Sequence, residues 1–287
     1  MIMTHKISLP TKAEIEQLNH YAPIFNAEVG GALRWVMRQL NISIKLLEKR
    51  ILGVSGSAWR SYTQMSYTQN RPLHVVAAFS WLTQVSMLAI LQGKHIQNYW
   101  PAVCNETIKS IILSGLLPEE QFLHFIKLMT AKLDRRGYQV SSEVIPLLET
   151  IPCFQDSFLI PRKLDIDDFK VDYYRSISIQ FRELRQQQKI PIEVLAAVIN
   201  EPVSRTLAFE DPDNPISIPV FAAVRIKLGF KLKDTVMFTS GMTKYQHFYH
   251  ARQVQQAREQ VILALMKPLN LTERERINGF IQTIVEI

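Results

Sequence analysis

Apolar residues recur along most of the chain at the three-to-four-residue spacing of amphipathic helices, and long alternating β-branched runs are absent. Thr11-Lys12-Ala13-Glu14 has the form of a capping box, which predicts a short helix to about His20, stopped before Pro23. A dense helical region is expected over residues 30–91. Another helical stretch covers 105–113, breaks at Gly115 and Pro118, and resumes over 119–133. From 135 to 172 the texture changes: Pro146, Pro152 and Pro161 punctuate it, and Asp165, Asp167 and Asp168 cluster near its end. An irregular connector with one helix around 142–149 is the reading there, and helical periodicity returns from Tyr173 to the end. The expected fold class is all-α.

The pattern also repeats. Residues 33–47 lie over 181–195 without a gap, with Arg34/Arg182, Gln39/Gln187, Ile42/Ile190, Ile44/Ile192 and Leu47/Leu195 identical. Most other apolar sites stay apolar, as in Val36/Leu184 and Leu46/Val194. The alignment continues with one extra residue in the first copy, pairing Ser57 with Ser204 and Tyr62 with Phe209. Each copy reads as a helix, a polar break, a short helix, a tight turn and a third short helix; in the second copy these are 177–188, 192–199 and 203–209. A helical hairpin follows each copy. The expected division is an N-terminal helix or arm (1–29), a first module (30–95), an accessory hairpin (96–134), a connector (135–175), a second module (176–240) and a C-terminal hairpin (241–287).

Charge sharpens the first copy. The chain of 287 residues carries a net +7, with a pI near 9.4, which suits an acidic partner such as nucleic acid or an anionic membrane. Over residues 30–95, Arg34, Arg38, Lys45, Lys49, Arg50, Arg60, Arg71 and Lys94 are opposed only by Glu48, an excess equal to the net charge of the whole chain. The segment 96–175 is slightly negative. Hydrophobic residues make up 47% of the chain, enough for real cores. The most apolar run, 75–91, is interrupted by Ser80, Thr83, Gln84 and Ser86 and is short for a membrane span, so no membrane partner is expected. Residues 1–10 lack a signal-peptide pattern. Cys104 and Cys153 read as free, mostly buried thiols of a reducing compartment, and the chain as a cytoplasmic protein.

In the second copy, Phe181-Arg-x-Leu-Arg, Ile192-Glu-x-Leu195-Ala196, Ser204-Arg205-Thr206, Phe209-Glu210 and Pro215 precede the pairs Ala222-Ala223 and Leu228-Gly229. The first copy has Leu33-Arg34, Leu47, Gly53-Val54-Ser55, Trp59, Tyr62, Asn70-Arg71-Pro72 and Ala77-Ala78-Phe79. These two blocks, roughly half of the chain, resemble the lambda-repressor-like (XRE, Cro-type) helix-turn-helix DNA-binding family, in two tandem copies. The resemblance implies double-stranded DNA as partner, transcription regulation as function, and a bacterial or phage-like context. In that frame Leu47, Val54, Trp59 and Tyr62 lock the second and third helices together, and Ser55 caps the third. Ser57, Arg60 and Ser61 take base-facing positions, and Gln64, Asn70 and Arg71 flank the backbone. Arg60 is the sharpest candidate, because a guanidinium bridges two acceptors on guanine. Lys45, Lys49, Arg50, Arg71 and Lys94 are candidate phosphate contacts, and the third helix presents its N-terminus to phosphate. In the second module the counterparts are Ser204 and Arg205.

Two departures qualify the resemblance. The family often carries glutamine at the second position of the second helix, where this chain has Ile44 and Ile192. The second copy has Glu201, Glu210, Asp211 and Asp213 around its recognition helix, which would repel phosphate. The first module is therefore expected to dominate, with the second binding weakly or serving a protein partner.

Other chemistries lack residues. No serine-histidine-aspartate order, phosphate-binding glycine loop or paired carboxylates stand out, so no enzyme activity, metal or cofactor is expected. The run from Lys244 to His250 reads as helix-entry packing rather than a metal site. Cys104 bears no mark of a thiolate. Trp35, Trp59, Trp81 and Trp100 read as packing. Phe248, Ala251, Val254, Val261 and Leu265, with Ile277, Phe280, Ile281 and Ile284, read as packing against the chain's own module, with homodimerisation as the alternative. The rival function is a protein–protein interaction scaffold on degenerate helix-turn-helix modules; an RNA-binding regulator is third.

Overall fold

The computed structural model describes residues 7–91, 103–155, 158–232 and 234–286, and they are mostly helical. Lys94 and Trp100 lie outside the described residues. In chain order come α1 (Lys12–Gln39), α2 (Ile44–Arg50), β1 (Ile51–Leu52), α3 (Gly56–Tyr62), α4 (Leu73–Thr83) and α5 (Met87–Ile90). Then follow α6 (Asn105–Gly115), α7 (Glu119–Arg135), α8 (Ser141–Glu149) and β2 (Leu164–Asp165). The series ends with α9 (Ile166–Gln187), α10 (Ile192–Ile199), α11 (Val203–Ala208), α12 (Val220–Gly229), a 3-10 turn (Val236–Thr239), α13 (Gln246–Met266) and α14 (Leu271–Glu286).

The capping box forms as its residues predict: Thr11 Oγ1 accepts from Glu14 N–H, and Glu14 Oε2 accepts from Thr11 N–H. The expected stop before Pro23 does not occur, and α1 continues to Gln39. A proline interior to a helix removes one backbone hydrogen bond. Tertiary packing outweighs that loss, because Leu18, Phe25, Val29, Leu33 and Val36 form one buried stripe along the helix. The connector is also shorter than expected. Asp165 caps the N–H groups of Asp167 and Asp168, so the acidic cluster starts α9 at Ile166 rather than extending a loop to Asp172. The helix expected at 142–149 is α8.

The chain divides into two compact units, residues 1–79 with 160–249, and 80–159 with 250–287. Residues 30–79 of the first expected module and all of the second fall in the first unit, while residues 80–91, the described part of the accessory hairpin and residues 250–286 of the C-terminal hairpin fall in the second. In the first unit α1 meets α12 through Phe25 and Phe221, with ring centroids 5.1 Å apart. Strand β1 pairs in parallel with β2, Ile51 opposite Leu164. Pro72 and Pro219, each just ahead of its helix, form an antiparallel bridge. Its hydrogen bonds are reciprocal: Leu73 N–H donates to Ile218 O at 3.0 Å, and Val220 N–H donates to Arg71 O at 2.9 Å.

Backbone conformation follows the same offset. Left-handed residues fall at Asn41 and Lys189, at Gly53 and Asn200, and at Gln84 and Lys231. The first pair shares the spacing of Leu47/Leu195 and the other two that of Ser57/Ser204. The extra residue of the first copy thus lies between Leu47 and Gly53, where α2 gives way to β1.

In the second unit α6 packs on α14: Ser110 Oγ donates to Asn278 Oδ1, and Asn278 Nδ2 donates to Glu106 O. Val254, Val261, Leu265, Ile277 and Ile281 are buried here. The two thiols are less buried than expected. Cys153 is exposed in the segment after α8, and Cys104 is half-buried at the start of α6. Burial raises the Cys104 thiol, but hydrogen bonding to Thr107 and Arg274, whose Nη1 lies 2.9 Å from Sγ, brings it net below its ordinary value. The thiolate mark missing from the sequence is therefore an arginine far along the chain.

Candidate nucleic-acid interface

Two short capped helices build the site. Ser43 caps α2 by accepting from Leu46 N–H, and Ser55 caps α3 by accepting from Ala58 N–H. Between them Gly53 sits at φ +91°, and a Cβ there would meet Ile166 Cγ2 at 2.6 Å. Both the backbone angle and the close approach require glycine. Leu47 and Trp59 are fully buried and hold the two helices together. Trp59 packs on Tyr62 and Phe79, with centroids 6.3 and 6.1 Å away.

With Trp59 turned inward, the opposite side of α3 faces solvent. Ser55, Ser57, Arg60 and Gln64 are exposed and Ser61 is half-buried. Ser57, Arg60, Ser61 and Gln64 lie at i, i+3, i+4 and i+7, along one helix face. The hydroxyls of Ser55 and Ser57 are 2.8 Å apart. Lys45 and Lys49, one turn apart on α2, are exposed as well, as are Arg34 and Arg38 on α1. Both belong to the charge excess of residues 30–95.

Three expected contacts do not stand on this face. Arg71 is 1% exposed, and its guanidinium donates to Tyr62 O, Gln64 O and Asn26 O, under the Tyr67 ring. Burial pulls it down to about 10, so it stays charged at neutral pH. It staples the segment between α3 and α4 onto α1 instead of meeting phosphate. Asn70 is exposed but its side chain is bonded to Asn26. Arg50 is half-buried, and its Nη2 donates to Ile160 O at 3.4 Å. The N-terminus of α3 is also taken: Glu48 Oε1 accepts from Gly56 N–H at 3.0 Å. The one acid of the basic segment therefore occupies the place expected for phosphate.

The second block repeats the arrangement with different chemistry. Asn200, at φ 58°, makes the turn between α10 and α11. Ser204 and Arg205 are exposed on α11. Arg205 is tied to Glu201 at 3.5 Å and lies over the Phe209 ring. Glu210 does not face outward. It is buried in a bidentate pair with Arg185, at 2.5 and 2.8 Å. Val203 and Leu207, one turn apart, are 38% and 49% exposed, at the positions where α3 carries Gly56 and Arg60.

The Lys244 to His250 run enters α13 under a buried carboxylate: Asp172 accepts from the N–H groups of Thr243, Lys244 and Tyr245. No helix among the described residues is long and apolar enough to cross a membrane. Comparison of the chain with protein-family models, curated proteins and solved structures found no match.

Proposed function

We propose that the two blocks are lambda-repressor-like helix-turn-helix modules related by a local two-fold, and that the chain is a sequence-specific DNA-binding transcriptional regulator. The observation that carries this reading is the polarity of α3: Trp59 anchors it while Ser57, Arg60 and Gln64 point outward beside Lys45 and Lys49. A short helix held by its buried face, with an arginine and hydroxyls outward, fits the major groove. The lysines supply sequence-independent attraction to phosphate.

The reciprocal Pro72–Pro219 bridge supports the two-fold, since an isologous contact pairs the same residue positions from each side. One chain then presents α3 and α11 as a homodimer would present two copies of one helix, so no second chain is needed for two readers. The first module dominates affinity, because Arg205 is already paired and Leu207 stands exposed where α3 has Arg60.

Selection from a random duplex library tests the reading. An enriched motif is expected, with Arg60→Ala weakening binding by about 1–3 kcal/mol and relaxing one base position. Enrichment of nothing, with only salt-sensitive background, would overturn it in favour of the interaction scaffold. The Val203–Leu207 strip favours protein contact for the second block, and Val203→Ser with Leu207→Ser would then abolish partner capture.

A further inference from the structure

Glu48 is the one acid among the lysines and arginines of residues 30–95. It is exposed on α2, and its carboxylate lies against the first residue of α3, where Oε1 accepts from Gly56 N–H at 3.0 Å. Oε2 accepts from no group among the described residues. The bond to Gly56 holds the carboxylate in place, so its second oxygen is an oriented acceptor with free capacity.

Gly56 makes the room for this arrangement. A Cβ there would stand 3.0 Å from Oε2 and 3.4 Å from Oε1. Gly56 is not among the residues with positive φ, so the glycine supplies space rather than a backbone angle. The second block has Val203 at this position, and its side chain would fill that space. Gly56 and Arg60 are four residues apart, on one face of α3. The strip therefore carries an acceptor at its start and a guanidinium one turn on, and neither group has an ion pair among the described residues.

A carboxylate repels phosphate and accepts only from donors. In the major groove those donors are the amino groups of cytosine and adenine. Adenine sets its N7 acceptor beside its amino group, facing the carboxylate with a second lone pair; cytosine does not.

We infer that Glu48 is a specificity-determining residue that reads a cytosine, Oε2 accepting from the N4 amino group while Oε1 stays on Gly56 N–H. The inference rests on the DNA reading of α3 and narrows the sequence it recognises. Four residues of helix rise about 6 Å, close to two base steps of about 3.4 Å. The cytosine thus falls within about two base pairs of the guanine met by Arg60.

The test is selection from a random duplex library with the full chain and with Glu48→Ala, Glu48→Gln and Arg60→Ala, each checked for folding by circular dichroism. The wild-type motif is expected to hold a cytosine within about two base pairs of the guanine that Arg60→Ala relaxes. Glu48→Ala should cut the cytosine preference by about five-fold or more and leave that guanine in place. Glu48→Gln keeps an oxygen for Gly56 N–H and brings an amide, so the preference should turn to adenine. A purely structural cap would not produce that switch. A wild-type motif that both Glu48 variants select unaltered, whatever their affinity, overturns the inference alone. No wild-type motif at all overturns it together with the DNA reading. Should Glu48→Ala not fold, Glu48→Gln decides by itself.

Discussion

Arg60 and Arg71 are eleven positions apart and read alike in the sequence, yet one points to solvent and the other is a structural staple. The difference comes from carbonyls at Asn26, Tyr62 and Gln64, which only the folded chain brings together. Arg71→Ala should therefore cost about 3 kcal/mol in urea unfolding, since three buried carbonyls lose their donors. Lys49→Ala should instead leave stability within about 0.5 kcal/mol and lower the slope of log affinity against log salt by about one. His74 gives a pH signature. Its Nδ1 lies 3.0 Å from the Tyr174 hydroxyl, which donates to Ile218 O. Burial, and then Lys170, bring it down to about 4. The unfolded chain takes up that proton near pH 6.5 and the folded chain near 4, so stability falls as pH drops through this window. The loss approaches about 3 kcal/mol. His74→Gln should flatten the pH 4–6.5 limb of a denaturation series.

At the scale of elements, the left-handed turn at Gly53 and Asn200 orients each third helix. Gly53→Ala places a Cβ against Ile166 and strains φ, so it should destabilise by about 2 kcal/mol or more. Asn200→Gly, at φ 58°, should change stability by only a few tenths of a kcal/mol. Thermal melts of the two variants check the contrast. Most helices were legible in the sequence from spacing and caps: the Thr11 box, the break at Gly115 and Pro118, and the helix near 142–149. The stop before Pro23 was misread, because the local rule against proline carries no information about Phe25 meeting Phe221. The capping role of Asp165 was hidden because an acidic cluster reads equally as loop or as helix start. Likewise, Glu48 as a cap on Gly56 follows from the approach of α2 to α3, not from its place in a basic run.

For the whole molecule, the sequence aligns two blocks but does not say how they assemble. Fifteen aligned positions say nothing about whether two blocks stand apart or share a core. Gathering both in one unit depends on contacts such as the Pro72–Pro219 bridge and the pairing of Ile51 with Leu164. The proposed two-fold predicts one chain per duplex site. Sedimentation of the complex should give a single protein on a single duplex, and the binding isotherm should have unit slope across dilution. Two chains per duplex would instead favour homodimerisation.

That bridge has a consequence for direction. Two identical subunits on a palindrome have no front or back, because turning the complex around restores it. Here the two proposed modules are joined in one chain and differ: Ser57, Arg60 and Ser61 on one side, Ser204, Leu207 and Ala208 on the other. On the proposed reading, such a chain would sit on DNA with a head and a tail. Reversing its site relative to a promoter would present a different protein face to whatever binds next door, and reporter output should change with orientation alone.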